Sequence, residues 1–167
     1  MIKAMEQCPA IAESLLIIAA KAVCGSVSSK EMQSAINQVL EAGIYFDEFL
    51  DVLSADEIFN EIYPFFQKAL EKLEIPIPTE EEATFLLIDR CMHKILEKKV
   101  SPRILLHQLF ADLNEDRCDI ADKLLATIRL SNYSRHHSDC EYCVHELEDH
   151  NQEAEEEAKK WCSTHNS

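Results

Sequence analysis

The chain has 167 residues, of which 31 are acidic and 16 are basic, so its formal net charge is −15 at pH 7. This charge argues against nucleic acid as the main partner, because contacts with phosphate groups need a basic surface. The two glycines, Gly25 and Gly43, are too few for a phosphate-binding loop, a dinucleotide-binding GxGxxG motif or a turn-rich all-β fold.

Helix-start signals occur along most of the chain. Pro9 suits the first turn of a helix over residues 11–23, and Ser101-Pro102 is a similar signal further on. In a capping box, a Ser or Thr hydroxyl accepts a hydrogen bond from a first-turn N–H while a Glu three residues later reaches back. Three such boxes predict further helix starts: Ser28 with Glu31, Ser54 with Glu57, and Thr79 with Glu82.

Prolines divide these predicted helices. Pro64 lies inside a helical pattern from about residue 55 to residue 73 and predicts a kink or split there. Residues 75–78, Ile-Pro-Ile-Pro, must be extended and join two helical halves. Residues 27–30 resemble residues 100–103, so the halves are either duplicated or simply two similar capped helix pairs. We predict an all-α bundle of about seven or eight helices over residues 1–135, followed by an acidic, Cys/His-rich helical extension over residues 136–167.

The cysteines indicate a reducing compartment. There are seven, an odd number, and the first four are scattered singly through apolar helical patterns. This distribution is typical of cytoplasmic thiols rather than of a disulfide framework. Glu13 and Lys21 interrupt the apolar segment near the N-terminus, so we expect a buried first helix there and no export signal. No run reaches the ~18 apolar residues of a membrane span, so a membrane is not an expected partner.

The C-terminal extension has the residue types of a zinc site. Cys140 and Cys143 form a CxxC pair, and Cys162 and His165 form a CxxH pair. Three cysteines and one histidine are a ligand set of structural zinc. Residues 136–165 contain three of the seven cysteines and five of the seven histidines. This clustering favours a structural zinc ion over the alternative of incidental residues on a solvated acidic tail.

The spacing of the two pairs limits how they can meet. An unbroken helix between them would separate Cys143 from Cys162 by ~28 Å, at ~1.5 Å per residue. Three arrangements avoid this separation. The helix breaks near residues 150–151; the site is local, with His136 or His137 joining Cys140, Cys143 and either His145 or His150; or Cys162 and His165 complete the CxxC pair of a second chain in an antiparallel homodimer.

The stretch from Tyr45 to Phe66 combines aromatic and acidic residues. It holds seven of the twelve aromatic residues and no basic residue. Helical spacing predicts that Phe46, Phe49, Leu50 and Leu53 form one apolar face while the acidic residues point away from it. The stretch is therefore either core aromatics with a solvated face or a docking surface that attracts a basic protein by long-range charge. The candidate partner-binding residues are Asp47, Glu48, Asp51, Asp56, Glu57 and Glu61.

An enzymatic function is the alternative. Asp89 and His93 are four residues apart, as are Glu141 and His145, so carboxylate–imidazole pairs could share a helix face. Arg129 followed seven residues later by His136 resembles the arginine–histidine spacing of the helical HEPN ribonucleases. That resemblance, which covers these two residues alone, implies phosphodiester cleavage. The alternative function is thus a metal-dependent or HEPN-like hydrolase.

The last predicted helix carries a run of charges. Glu155 and Glu156 precede Lys159 and Lys160 by four residues, which predicts an exposed helix stabilised by its own ion pairs. Trp161 is the exception, because a lone tryptophan should pack against the bundle or anchor an interface. From the sequence we expect a cytoplasmic regulatory or inhibitor-like protein that binds a basic partner, as do small acidic proteins that neutralise nuclease toxins.

Overall fold

The computed structural model describes residues 8–56, 58–113 and 146–165. These ranges contain helices and no strand, so the predicted all-α fold is confirmed. In chain order the helices are α1 (Pro9–Val23), α2 (Ser29–Glu41), α3 (Glu48–Ser54), α4 (Phe59–Lys72), α5 (Glu80–Glu97), α6 (Pro102–Leu113) and α7 (Glu146–His165).

Four of the predicted helix starts are confirmed. Pro9 is the first residue of α1, and Pro102 is the first residue of α6. At α2, the hydroxyl of Ser28 accepts from the backbone N–H of Glu31, whose carboxylate accepts from the backbone N–H of Ser28. Thr79 and Glu82 make the same reciprocal pair at α5. Local hydrogen bonding therefore decides where these helices begin.

Two predictions about the middle of the chain are wrong. Ser54 is the last residue of α3 rather than the cap of a new helix, and the next helix begins at Phe59 without a side-chain cap. The helical pattern does not split at Pro64, which lies inside α4; instead, α3 ends at Ser54 and α4 begins at Phe59. A kink at Pro64 stays a prediction. Burial explains both differences. Val52 holds the last turn of α3 in the core, and Ile62 and Phe66 anchor α4 on either side of the proline, each with 0% exposure.

Several helices are followed by a residue in the left-handed backbone conformation. Gly25 and Gly43 have φ of 75° and 81° and follow the ends of α1 and α2. The residues after them, Ser26 and Ile44, donate to carbonyls five positions back, which completes Schellman motifs. Glu74 takes the same role after α4 with φ of 56°. A residue with a Cβ atom loses about 1 kcal/mol of stability in the left-handed conformation. Glycine avoids this loss, which explains its place after α1 and α2.

The chain divides into two units between Ala83 and Thr84, inside α5. In the first unit, α3 packs on α4, α1 packs on α2, and α2 also contacts α3 and α4. The core of this unit comes from all four helices, and its fully buried side chains include Leu15, Met32, Ile36, Phe49, Phe66 and Leu70. Residues 75–79 have no helical structure and connect α4 to α5.

The second unit contains most of α5, together with α6 and α7. Helix α7 packs on α6 and buries Ala154, Ala158, Trp161 and Cys162, which recur every three or four residues on one face. The C-terminal helix is thus part of the core of this unit. None of the helices that the structure describes is both long and apolar enough to cross a membrane.

Candidate interaction surface

Helix α3 buries one face and exposes the other. Phe49 and Val52 have no exposed area, whereas Leu50 is 51% exposed. The prediction that Leu50 belongs to the apolar face is therefore wrong. At 3.6 residues per turn, Leu50 lies about 100° around the helix from Phe49, while Val52 and Leu53 lie closer to it. The core accepts Val52 in place of Leu50.

Two further apolar side chains are exposed beside this helix. Tyr45 precedes α3 and is 57% exposed, and Ile58 follows it and is 53% exposed. With Leu50 and four exposed acidic residues of the same stretch, they define what we call the α3 surface. Its members are Tyr45, Asp47, Leu50, Asp51, Asp56, Ile58 and Glu61.

The acidic residues of the α3 surface are available to a partner. Asp47, Asp51, Asp56 and Glu61 are all exposed. No basic side chain in the described part of the chain forms an ion pair with any of them. Each of these carboxylates adds to a negative potential on this part of the first unit, while Lys72 and Lys68 act on the adjacent Glu48.

Glu48 differs from the other predicted partner-binding residues. Its carboxylate lies 2.9 Å from the ammonium group of Lys72 on α4. The hydrogen bond from Lys72 lowers the pKa of Glu48. Glu48 therefore joins α3 to α4 instead of facing solvent as the sequence indicated, and it is not part of the α3 surface. Glu57, the remaining predicted residue, lies outside the described residues.

Contacts with α2 and between aromatic rings hold the residues around the α3 surface in place. The amide of Gln33 on α2 donates to the carbonyl oxygens of Val52 and Ala55, both at 3.4 Å, and so ties the end of α3 to α2. The rings of Phe46 and Phe49 meet edge to face with centroids 5.5 Å apart. These contacts hold the surface in shape before any partner arrives, which reduces the entropy cost of binding.

Most of the predicted zinc ligands lie outside the described residues: His136, His137, Cys140, Cys143 and His145. Cys162 and His165 are described, and both lie in the last turns of α7. Cys162 is buried, and this burial raises the pKa of its thiol. His165 is exposed, with its Nδ1 2.9 Å from the carbonyl oxygen of Trp161. Among the described residues, no three His, Cys, Asp or Glu side chains could hold one metal ion.

One of the three arrangements for zinc is wrong. Helix α7 continues from Glu146 to His165 without a break at residues 150–151. Cys162 lies ~24 Å along this helix from its first residue, at ~1.5 Å per residue. Cys143 lies outside the described residues, and the local site and the homodimer site stay as predictions.

The residues of the predicted hydrolase are only partly described. Arg129, His136 and the Glu141–His145 pair lie outside the described residues. The Asp89–His93 pair is present on α5, with 3.7 Å between His93 Nε2 and Asp89 Oδ2. Asp89 also accepts a hydrogen bond from the indole N–H of Trp161 at 2.9 Å. This carboxylate thus serves a structural contact in the second unit.

The contacts of α7 differ from those that the sequence predicts. Glu155 pairs with Lys98 after α5 at 2.8 Å. The hydrogen bond from Lys98 lowers the pKa of Glu155, and the charge of Lys159 contributes to the same shift. Lys160 lies 3.7 Å from Glu157 rather than close to Glu156. Trp161 does pack against its own chain, as one of the two predicted alternatives stated. Helix α7 is therefore held by contacts with α5 as well as by its own charges.

The comparisons with known proteins found no match. No protein-family model matches the sequence, and no curated protein and no solved structure is similar to it.

Proposed function

We propose that this protein acts by binding a basic protein through the α3 surface, in a regulatory or inhibitor-like role. The observation that carries the proposal is the combination of three exposed apolar side chains with four exposed carboxylates on one short stretch of the first unit. Apolar contacts contribute affinity where water is expelled from the interface. The surrounding carboxylates raise the association rate and select a partner of positive charge.

The charge balance of the chain supports the same proposal. The stretch from Asp47 to Glu61 has six acidic residues and no basic residue. Lys72 is paired with Glu48, and the charge of Lys68 also acts on that carboxylate. A cationic partner would therefore meet uncompensated carboxylates, and an anionic partner such as nucleic acid would be repelled.

The cysteines support a cytoplasmic location for this binding. Cys8, Cys24, Cys91 and Cys162 are not in disulfide bonds. Burial raises the pKa of the Cys91 thiol to about 12, so this residue is a neutral core side chain rather than a reactive one. Unpaired thiols of this kind persist in a reducing compartment.

Charge reversal on α3 is expected to abolish the capture of basic proteins. Asp47→Lys with Asp51→Lys places two cations in the middle of the surface, and both positions are exposed, so the fold should be kept. We expect a loss of at least about tenfold in the amount of basic protein retained from cell extract by the immobilised chain. Quantitative mass spectrometry of the eluted proteins gives the measurement.

The matched control is Glu13→Lys with Glu71→Lys. These residues are also exposed, lie in the same unit on α1 and α4, and change the net charge equally. The control should retain the basic proteins that the wild-type chain retains. Equal losses in both double variants would indicate nonspecific ion exchange, and unchanged capture by the α3 variant would contradict the proposal.

We also propose a structural zinc ion in the C-terminal region, in either the local or the homodimer arrangement. Protein purified without a histidine tag should contain about one equivalent of zinc, and Cys143→Ser should lose it. His165→Ala distinguishes the two arrangements, because it removes a ligand from the homodimer site alone. Elemental analysis with size-exclusion chromatography gives both readouts. Less than about 0.3 equivalents in the wild-type protein would refute the zinc proposal.

A further inference from the structure

The α3 surface places two carboxylates one helical turn apart, and an exposed apolar side chain lies close to them along the helix. Asp47 has helical backbone angles, φ of −61° and ψ of −32°, so it continues the geometry of α3. Asp47 and Asp51 are thus one turn apart on the same face, with their Cβ atoms ~6 Å apart. At 3.6 residues per turn, Leu50 lies about 60° around the helix from Asp47 and about 100° from Asp51, and it is 51% exposed. The same combination recurs after α3, where Asp56 and Glu61 flank Ile58 in the sequence.

We infer that the segment recognised by this surface is rich in arginine rather than in lysine, an inference that rests on the proposed function. A guanidinium group is planar and has N–H donors along two edges. It can therefore donate to Asp47 with one edge and to Asp51 with the other. An ammonium group is a compact, strongly hydrated point charge without a planar donor fork, so binding to the same two carboxylates costs it more hydration and fixes its orientation less.

The exposed aromatic ring favours the same partner. Tyr45 is 57% exposed, and an aromatic ring is a surface on which a planar guanidinium group stacks. Leu50 offers apolar surface to the methylene groups of a basic side chain, a contribution that is common to arginine and lysine. The carboxylate pair and the aromatic ring therefore match two ways in which arginine differs from lysine.

The test uses three synthetic peptides with one common sequence. They carry arginine, lysine or neutral citrulline at the same few positions, so charge and shape are varied separately. We expect the wild-type chain to bind the arginine peptide at least about fivefold more tightly than the lysine peptide at physiological ionic strength. The citrulline peptide should show no binding. Fluorescence anisotropy of labelled peptides measures the three affinities.

Two variants locate the preference on the molecule. Asp51→Asn replaces one of the two carboxylates with an uncharged amide that has a single acceptor oxygen, and it should reduce the preference for arginine over lysine to less than about twofold. Glu71→Gln removes an exposed charge of the same unit outside the α3 surface and should leave the preference unchanged. A preference that survives Asp51→Asn would overturn the inference.

The outcomes separate this inference from the proposed function. Equal affinity for the arginine and lysine peptides, both above the affinity for citrulline, would overturn the inference and leave the binding of basic partners standing. Equal affinity for all three peptides would refute both proposals, because charge would then play no part in recognition.

Discussion

Replacing Trp161 with alanine is expected to lower the free energy of unfolding by about 3–5 kcal/mol. Trp161 is 4% exposed, so the substitution removes a large buried side chain from the second unit. The rings of Phe85 and His165 lie against it, with centroids 5.3 Å and 4.1 Å away. The substitution also removes the hydrogen bond from the indole N–H to Asp89 on α5. One side chain thus contributes much of the attachment of α7.

Two further variants separate packing from hydrogen bonding at Trp161. Trp161→Phe keeps an aromatic ring but leaves Asp89 without this donor, which should cost about 1–3 kcal/mol. Thr164→Ala is the control, because this exposed hydroxyl bonds within its own helix and should change stability by less than about 0.5 kcal/mol. Urea denaturation followed by far-ultraviolet circular dichroism gives all three values. A change of less than about 1 kcal/mol for Trp161→Ala would contradict the role assigned to this residue.

Replacing Glu31 with alanine is expected to lower the free energy of unfolding by about 2–3 kcal/mol. Its carboxylate accepts from the ammonium group of Lys21 at 2.5 Å and from the backbone N–H of Ser28 at 2.8 Å. Lys21 is 9% exposed, so the variant leaves a mostly buried charge without this partner. The side chain of Glu31 is 37% exposed. Water therefore screens the pair, and the expected loss is smaller than for a fully buried pair.

The chain has a matched control for this substitution. Glu82 closes a capping box with Thr79 by the same hydrogen bonds as Glu31 with Ser28, and no lysine takes part. Glu82→Ala should therefore cost only about 1 kcal/mol. The difference between the two variants measures the contribution of Lys21. Equal losses in urea denaturation would show that the ion pair contributes nothing to stability.

The Glu31 variant should also alter the response to acid. Burial by itself would raise the pKa of Glu31, but the hydrogen bonds from Lys21 and Ser28 outweigh it and lower the pKa. A lowered folded-state pKa stabilises the protein above the unfolded value of about 4.3, and this stabilisation is lost as pH falls through the folded-state value. The stability difference between wild type and Glu31→Ala should therefore shrink between neutral pH and about pH 3.

Four helix starts could be predicted because their causes are local. The capping box at Ser28 and the prolines at positions 9 and 102 act within one helical turn. Ser54 shows the limit of this reasoning. It has the sequence of a capping box, but Val52 is already fixed in the core, so Ser54 ends one helix instead of starting another. A capping pattern does not reveal whether the preceding residues are already helical.

The sequence predicted which stretch of the chain carries the candidate surface, but it did not predict which residues of that stretch are exposed. The sequence identifies an acidic, aromatic stretch between Tyr45 and Phe66, and four of the six predicted partner-binding residues are exposed and free of described basic partners. It does not show that Glu48 is paired with Lys72, because that contact joins residues 24 positions apart. Nor does it show that Leu50 faces solvent, because the core could accept either Leu50 or Val52.

The net charge, the scarcity of glycine and the helix-start signals determine by themselves that the chain is α-helical, acidic and unsuited to phosphate-binding loops. These properties depend on composition and on interactions within one turn. Only the tertiary structure decides which charges are paired and which side chains are buried. The hydrogen bond between Trp161 and Asp89 joins residues 72 positions apart. Such a contact depends on how helices pack, and no local pattern encodes it.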